Sequence, residues 1–339
     1  MATTQWNRDF VKAEEALALL PHVAGRIGWA SVKVAHLDTG YREHRAFGPW
    51  RSDGTNAIVQ TKQSRDFFQR KRKSGRDPLK KVFFQTPGHG TRSSSVLSGR
   101  DPLDGFLGIA PGLPLVPLRV NDNSLVSGKA AKAIGRALTH VAKKDLAPIV
   151  NISLGFPLVL DRAMGEGLDT AYEAGVIVIA AAGQLVDKVV YPAKHRRALA
   201  VAGIKRNRRG RFQIYYQYDD YSRIDCWAPA EPILRADLED DDQPYGTGDG
   251  TTYGAVHVSA AAAIWLRHHG RQIDRRYGRT WMRTEAFRRI LFRAKGRLPF
   301  ASPATNDAGA LDIARLLAEP LPDPTTLKKE MDRAADDVM

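Results

Sequence analysis

The chain has 339 residues, with 51 Lys and Arg against 37 Asp and Glu, for a formal net charge of +14. Hydrophobic residues make up 43%, which excludes a disordered chain and supplies enough apolar material for one large domain or two modest ones. Its single cysteine, Cys226, excludes an intrachain disulfide and a CxxC metal site, and the longest apolar run, Ala260 to Leu266, is far too short to cross a bilayer.

In chain order, the N-terminus MATTQWNRDFVKAEE lacks a basic region followed by an apolar run, which argues against a signal peptide. With the lone cysteine, this favours the cytoplasm. Residues 1–25 read as an N-terminal extension. Buried strands are expected at Ser31 to Asp38, Leu113 to Val120, Pro148 to Gly155, Gly175 to Gly183 and Ala198 to Ile204. Between them, Lys129 to Ala142 and Asp161 to Ala174 place apolar residues on one helical face. Later helices are expected at the alanine-rich segment after Gly250, at Thr284 to Ala294 and at Asp312 to Leu317. This alternation predicts an α/β fold for residues 26–321, a mainly parallel sheet between two helical layers. Residues 322–339 read as a charged, frayed tail.

Open parallel sheets carry function at the C-terminal ends of their strands. Asp38 ends the first strand, His89 lies in TPGHGTRSSSVLSG, and Thr252 opens a helix in GDGTTYGAVHVSAAAAIWLRHHG. An Asp, a His and a hydroxyl form an acyl-transfer triad when brought together: the hydroxyl attacks, the imidazole takes its proton, and the carboxylate orients the imidazole. Taken singly, each has a simpler role: Asp38 as a turn residue, His89 as a loop residue, Thr252 as the N-cap of its helix.

The ordered set resembles the subtilisin-like peptidases (subtilases), whose order along the chain is Asp, His, Ser. LDTG is similar to their aspartate motif, GHGT to their histidine motif, GIAPGLPLVPLRV and IVNISLG to their linking strands, VIVIAAAGQ to the strand that ends in their oxyanion-hole residue, and DGTTYGAVHV to their serine motif. The resemblance covers roughly Gly28 to Gly270. It implies a three-layer subtilisin-like sandwich, with Asp38 as the orienting acid, His89 as the general base and Thr252 in the nucleophile's place. Gln184 stands where the family has an oxyanion-binding asparagine, and the Thr252 backbone N–H is the second donor. Ser153, Leu154 and Gly155 resemble one edge of the substrate groove, and Leu125, Val126 and Ser127 its opposite edge. An extended peptide or protein substrate would then lie between them.

Two departures fall next to the chemistry. Threonine keeps the hydroxyl but adds a methyl on Cβ, and glutamine lengthens the amide arm by one methylene. Two outcomes stay open on sequence: a slow or specialised threonine-dependent endopeptidase, or an inactive subtilase-fold pseudoenzyme that binds a peptide or protein partner. With 37 residues before Asp38, the signal and long propeptide of secreted members do not fit, so an intracellular protein is expected.

The remaining features have plainer readings. His257 is expected to be a packed core residue and His36 has no identifiable partner. His268 and His269 would complement a helix C-terminus as imidazolium, not bind metal. The basic runs Arg70 to Lys73 and Lys205 to Arg211 read as solvated loops. They lack interleaved aromatics, so nucleic acid is not the expected partner. The acidic run Asp237 to Asp242 has carboxylates suited to calcium, but a solvated loop is the simpler expectation, and no cofactor or metal is implied.

Overall fold

The computed structural model describes residues 5–69, 74–80, 87–155, 161–239, 242–300 and 308–330. Among these, eight strands make the main sheet: β1 (Val34–Asp38), β2 (Arg65–Asp66), β3 (Leu115–Arg119), β4 (Ile149–Ile152), β5 (Ile177–Ala181), β6 (Leu199–Arg206), β7 (Phe212–Ile214) and β8 (Cys226–Glu231). They run in the order β7-β6-β5-β4-β1-β3-β2, with β8 also against β6. All pairings are parallel except β6 with β7.

Side-chain alternation sends each strand into two cores. Val34, Ile149 and Ile177 face one layer, with helices α3 (His89–Ser98) and α6 (Thr251–His269). Ala35, Leu37, Val150 and Ile152 face the other, with α4 (Gly128–Lys143) and α5 (Arg162–Glu173). The amphipathic pattern seats α4 and α5 on their apolar faces. By contrast, α6 is apolar nearly all round, and is buried from Thr251 to Leu266 apart from Thr252. The subtilisin-like α/β sandwich expected from sequence is the architecture observed.

Strand β8 escaped the sequence reading. Its run, CWAPAE, is short and holds a proline, yet it forms parallel pairs with β6 from Val201 onward. The basic stretch Lys205 to Arg211 covers the end of β6 and the turn of the β6–β7 hairpin, where Asn207 Oδ1 accepts the N–H groups of Arg209 and Arg211. Arg70 to Lys73 lie outside the described residues.

Described residues near both ends of the chain contact the core. Two short helices, α1 (Trp6–Phe10) and α2 (Ala13–Ala18), bury Trp6, Val11, Leu17 and Leu20 in the α6-side core. Trp6 Nε1 donates to Pro232 O at 2.7 Å, and Asn7 Nδ2 meets His257 Nε2 at 3.0 Å. The apolar residues of this segment thus enter the core on the α6 side. At the other end, Leu327 is buried, Tyr277 donates to Pro322 O, and Glu330 N–H donates to the Tyr172 hydroxyl, while residues 331–339 of the expected tail lie outside the described residues.

Candidate active site

Asp38 ends β1 at the centre of the sheet, fully buried. His89 opens α3, and Gly90 beside it lets that helix approach the strand: a Cβ at Gly90 would lie 2.2 Å from Gly40 O. The result is a close pair, with His89 Nδ1 2.8 Å from Asp38 Oδ1. On the other side of the ring, His89 Nε2 lies 3.2 Å from Thr252 Oγ1. The three residues, scattered over more than two hundred positions, form a hydrogen-bonded line.

Burial pushes the Asp38 carboxyl up, but the charge and hydrogen bond of His89 outweigh it, helped by His36 and by the Thr39 N–H at 2.7 Å. Its pKa falls below the usual range, so the carboxylate stays charged and holds the imidazole. Thr39 Oγ1 donates to the buried Asp77 at 2.6 Å and accepts the Gly90 N–H, bracing the turn after Asp38. Asp77 was not picked out in sequence because nothing near it repeats a motif. Burial raises its pKa.

Thr252 is not a cap. Gly250 takes that position with φ of 146°, a backbone that side chains rarely adopt, and Thr252 sits in the first turn of α6. Its hydroxyl has two acceptors within reach, His89 Nε2 and, at 3.4 Å, Ser153 O. One proton serves one of them, and the imidazole is closer. Thr251 instead spends its hydroxyl on the Gly183 N–H at 3.2 Å.

Gln184 follows β5 and reaches back to the same helix start. Its Oε1 accepts the Thr251 N–H at 2.8 Å, which leaves Nε2 without a protein partner among the described residues. The Thr252 N–H, in the first turn, has no intrahelical acceptor. Both donors therefore stand at one helix N-terminus, where the dipole also favours negative charge.

Ser153 lies beside the nucleophile position, its hydroxyl 3.3 Å from Thr252 O, and Leu154 is buried. Farther along, Leu125 and Gly155 already pair with each other: Val126 N–H donates to Gly155 O at 3.1 Å, and Gly155 N–H to Ser124 O. No peptide strand can enter between the edges at that point. Ser127 is the N-cap of α4, accepting the Ala130 N–H, and Val126 is buried.

Other sequence expectations resolve into structure. His257 is a core residue, with Nδ1 against Tyr253 O and a pKa lowered by burial to about 4. His269 is not an imidazolium at the end of α6: burial, then the neighbouring His268, lowers it to about 4. His36 does have partners, in Ser93, Asn151 and Asp38. In the acidic run, Asp237 pairs with Arg92 and Arg235, and Glu239 pairs with Arg92, so their charges are committed to arginine. Asp240 and Asp241 lie outside the described residues.

The pattern of the Subtilase family matches residues 30–311. Subtilisin DY of Bacillus licheniformis is 29% identical over 185 residues, covering 53% of this chain and 63% of the relative. The major intracellular serine protease of Bacillus subtilis (strain 168) is 27% identical over 214 residues, covering 60% and 63%. The matched region thus spans under two thirds of these relatives. Among solved structures, MycP1 without its N-terminal propeptide superposes with TM-score 0.68 at 20% identity, covering 94% of this chain and 99% of that one. Fervidolysin from Fervidobacterium pennivorans, a keratinolytic enzyme related to subtilisin, gives 0.68 at 18%, covering 94% and 46%. A family pattern extending over most of the chain, on a subtilisin-like sheet, identifies this protein as a member of the subtilase family.

Proposed function

We propose that this subtilase hydrolyses peptide bonds in protein or peptide substrates through an acyl-enzyme on Thr252. The observation that carries the reading is the position of His89, bonded to Asp38 on one nitrogen and within reach of Thr252 Oγ1 on the other. With Nδ1–H donating to the carboxylate, Nε2 is the acceptor that a general base needs. Thr252 Oγ1 adds to the scissile carbonyl carbon as its proton passes to Nε2. That proton then goes to the leaving amine as the C–N bond breaks, and water releases the acid by the reverse sequence. Gln184 Nε2 and the Thr252 N–H donate to the oxyanion, and the Ser153 edge aligns the peptide backbone. A cytoplasmic setting belongs to the same reading, consistent with Cys226 as a buried free thiol.

The methyl of Thr252 makes this a slow nucleophile by comparison with serine. The competing reading, a silent peptide-binding protein, draws on the nearby Ser153 O, which offers the hydroxyl a resting acceptor away from the base. One experiment separates them. The purified protein is incubated with a fluorophosphonate probe and with denatured casein, with His89→Ala as control. Cleavage that depends on His89 supports the peptidase. No labelling and no cleavage by the unaltered protein, with activity gained in Thr252→Ser, establishes that the nucleophile has decayed.

A further inference from the structure

The triad acid has an imidazole on each side. His89 takes Asp38 Oδ1, and His36, two residues before Asp38 on the same face of β1, brings Nε2 to 3.5 Å from Oδ2. His36 is 1% exposed, so every polar atom it carries must be satisfied inside the protein. Its Nε2 lies 2.9 Å from Ser93 Oγ on α3, and its Nδ1 lies 3.1 Å from Asn151 Nδ2 on β4. None of these bonds belongs to the proposed proton transfer.

The bonds favour one tautomer. Ser259 Oγ on α6 meets Asn151 Oδ1 at 2.9 Å, which turns the amide nitrogen toward Ser153 Oγ at 2.9 Å and toward His36. An amide nitrogen only donates, so His36 Nδ1 accepts and the proton sits on Nε2. The reverse amide orientation would aim the Nε2 lone pair at the Asp38 carboxylate and take from Ser153 the donor that frees its own proton for Thr252 O. The assigned arrangement satisfies each group.

Followed outward, the bonds run from the acid to the nucleophile without passing through His89. Asp38 Oδ2 faces His36 and Ser93, whose hydroxyl lies 3.5 Å from it and 2.9 Å from His89 O. His36 leads to Asn151, Asn151 to Ser153, and the Ser153 hydroxyl to Thr252 O at 3.3 Å. A buried polar chain of this kind rigidifies only if it is complete.

We propose that His36 is a positioning residue for the triad: in its Nε2–H tautomer it holds, with Ser93, the far oxygen of Asp38, and through Asn151 and Ser153 it ties the acid to the Thr252 peptide. It touches no reacting atom and acts by holding both ends of the triad in register. As a functional statement this rests on the peptidase reading above. The ionisable groups bearing on His36 are Asp38 on its own strand and His89 on α3, while β4 meets it with Asn151, which Ser259 of α6 holds from behind, and β3 pairs with it at Pro117. Burial lowers its pKa against the opposing pull of Asp38. Protonation in acid would set Nδ1–H against the Asn151 amide hydrogens and break the chain at its middle.

The test needs readouts that do not depend on turnover. Imidazole nitrogen-15 NMR of the full chain reads the His36 tautomer, and the proton resonance of His89 Nδ1–H reads the bond to Asp38. Kinetics on a peptide substrate are then compared for wild type, His36→Val and His36→Gln. The expected results are an Nε2–H tautomer at neutral pH and a displaced His89 resonance in His36→Val. That variant should also lose about tenfold or more in kcat with KM within about twofold, and His36→Gln, which keeps a donor and an acceptor, should recover part of the loss. An Nδ1–H tautomer, or a folded His36→Val with an unaltered His89 resonance, overturns the proposal. If His36→Val does not fold, the wild-type tautomer and the His89 resonance of His36→Gln decide. If wild type cleaves nothing, the peptidase reading fails, and the two NMR measurements still decide whether His36 positions Asp38.

Discussion

Gln184 Oε1 accepts the backbone N–H of Thr251, at 2.8 Å, one residue before the proposed nucleophile. The longer arm is thus anchored by its oxygen to the helix start that carries Thr252, and its nitrogen is the free end. Gln184→Met keeps the length but removes the donor, together with the oxygen that accepts the Thr251 N–H. Turnover should fall by about 10²–10³, the loss measured when subtilisin is deprived of its own side-chain oxyanion donor. KM should change little, and steady-state kinetics on a peptide substrate check both. An unchanged kcat would show that Gln184 does not serve the oxyanion.

The methyl of Thr252 is the second departure from the family pattern, and its cost is measurable. A side chain pushed off its rotamer costs about 0.5–1.5 kcal/mol, so Thr252→Ser should raise kcat by roughly two- to tenfold. Thr252→Ala, with no hydroxyl, should abolish both cleavage and probe labelling. A serine variant no faster than wild type would mean that the site has adapted to the methyl.

Acid should destabilise the fold through His257. Its folded-state pKa is lowered to about 4, so the native protein keeps it neutral while the unfolded chain binds a proton below about 6.5. Stability should therefore be level above neutral pH and fall as pH drops from about 6.5 toward about 4. At 1.36 kcal/mol per pKa unit, the loss is roughly 3 kcal/mol. Urea unfolding across this range measures it, and His257→Gln should flatten that part of the curve.

Helices α4 and α5 touch at two glycines. A Cβ at Gly135 would fall 2.0 Å from Ala163 O, and one at Gly167 would fall 2.6 Å from Gly135 O. Backbone on both sides leaves no flexible side chain to move aside. Alanine at Gly135 gains helix propensity of about 1 kcal/mol. Overpacking costs about 1–3 kcal/mol, and a clash with backbone belongs at the upper end. Gly135→Ala should lower the unfolding free energy by about 2 kcal/mol by this difference, and chemical denaturation should show it.

Much of the fold was legible because its signals are local. Strands β1, β3, β4, β5 and β6 are continuous apolar runs, as a sheet covered on both faces requires, and α4 and α5 carry apolar residues at helical spacing. Strand β8 was not legible, because a six-residue run with a proline becomes a strand only when β6 offers it an edge. The core contacts near the two termini were not legible for the same reason. Trp6, Val11 and Leu327 are unremarkable in isolation and are held by a core assembled from distant segments.

At the candidate site, sequence alone determined the residue types and their order: an acid after a strand, a histidine between glycines, a hydroxyl and an amide near a helix start. Those are covalent facts, and the family resemblance follows from them. Tertiary structure decided which atoms meet. It placed Thr252 Oγ1 between His89 and Ser153 O, and turned the oxygen of Gln184 toward Thr251. It also closed Leu125 onto Gly155, made Ser127 a cap, and gave His36 a place behind Asp38. Hydrogen bonds depend on distance and direction within a few tenths of an ångström, and only the packed sheet and helices set these for residues far apart in the chain.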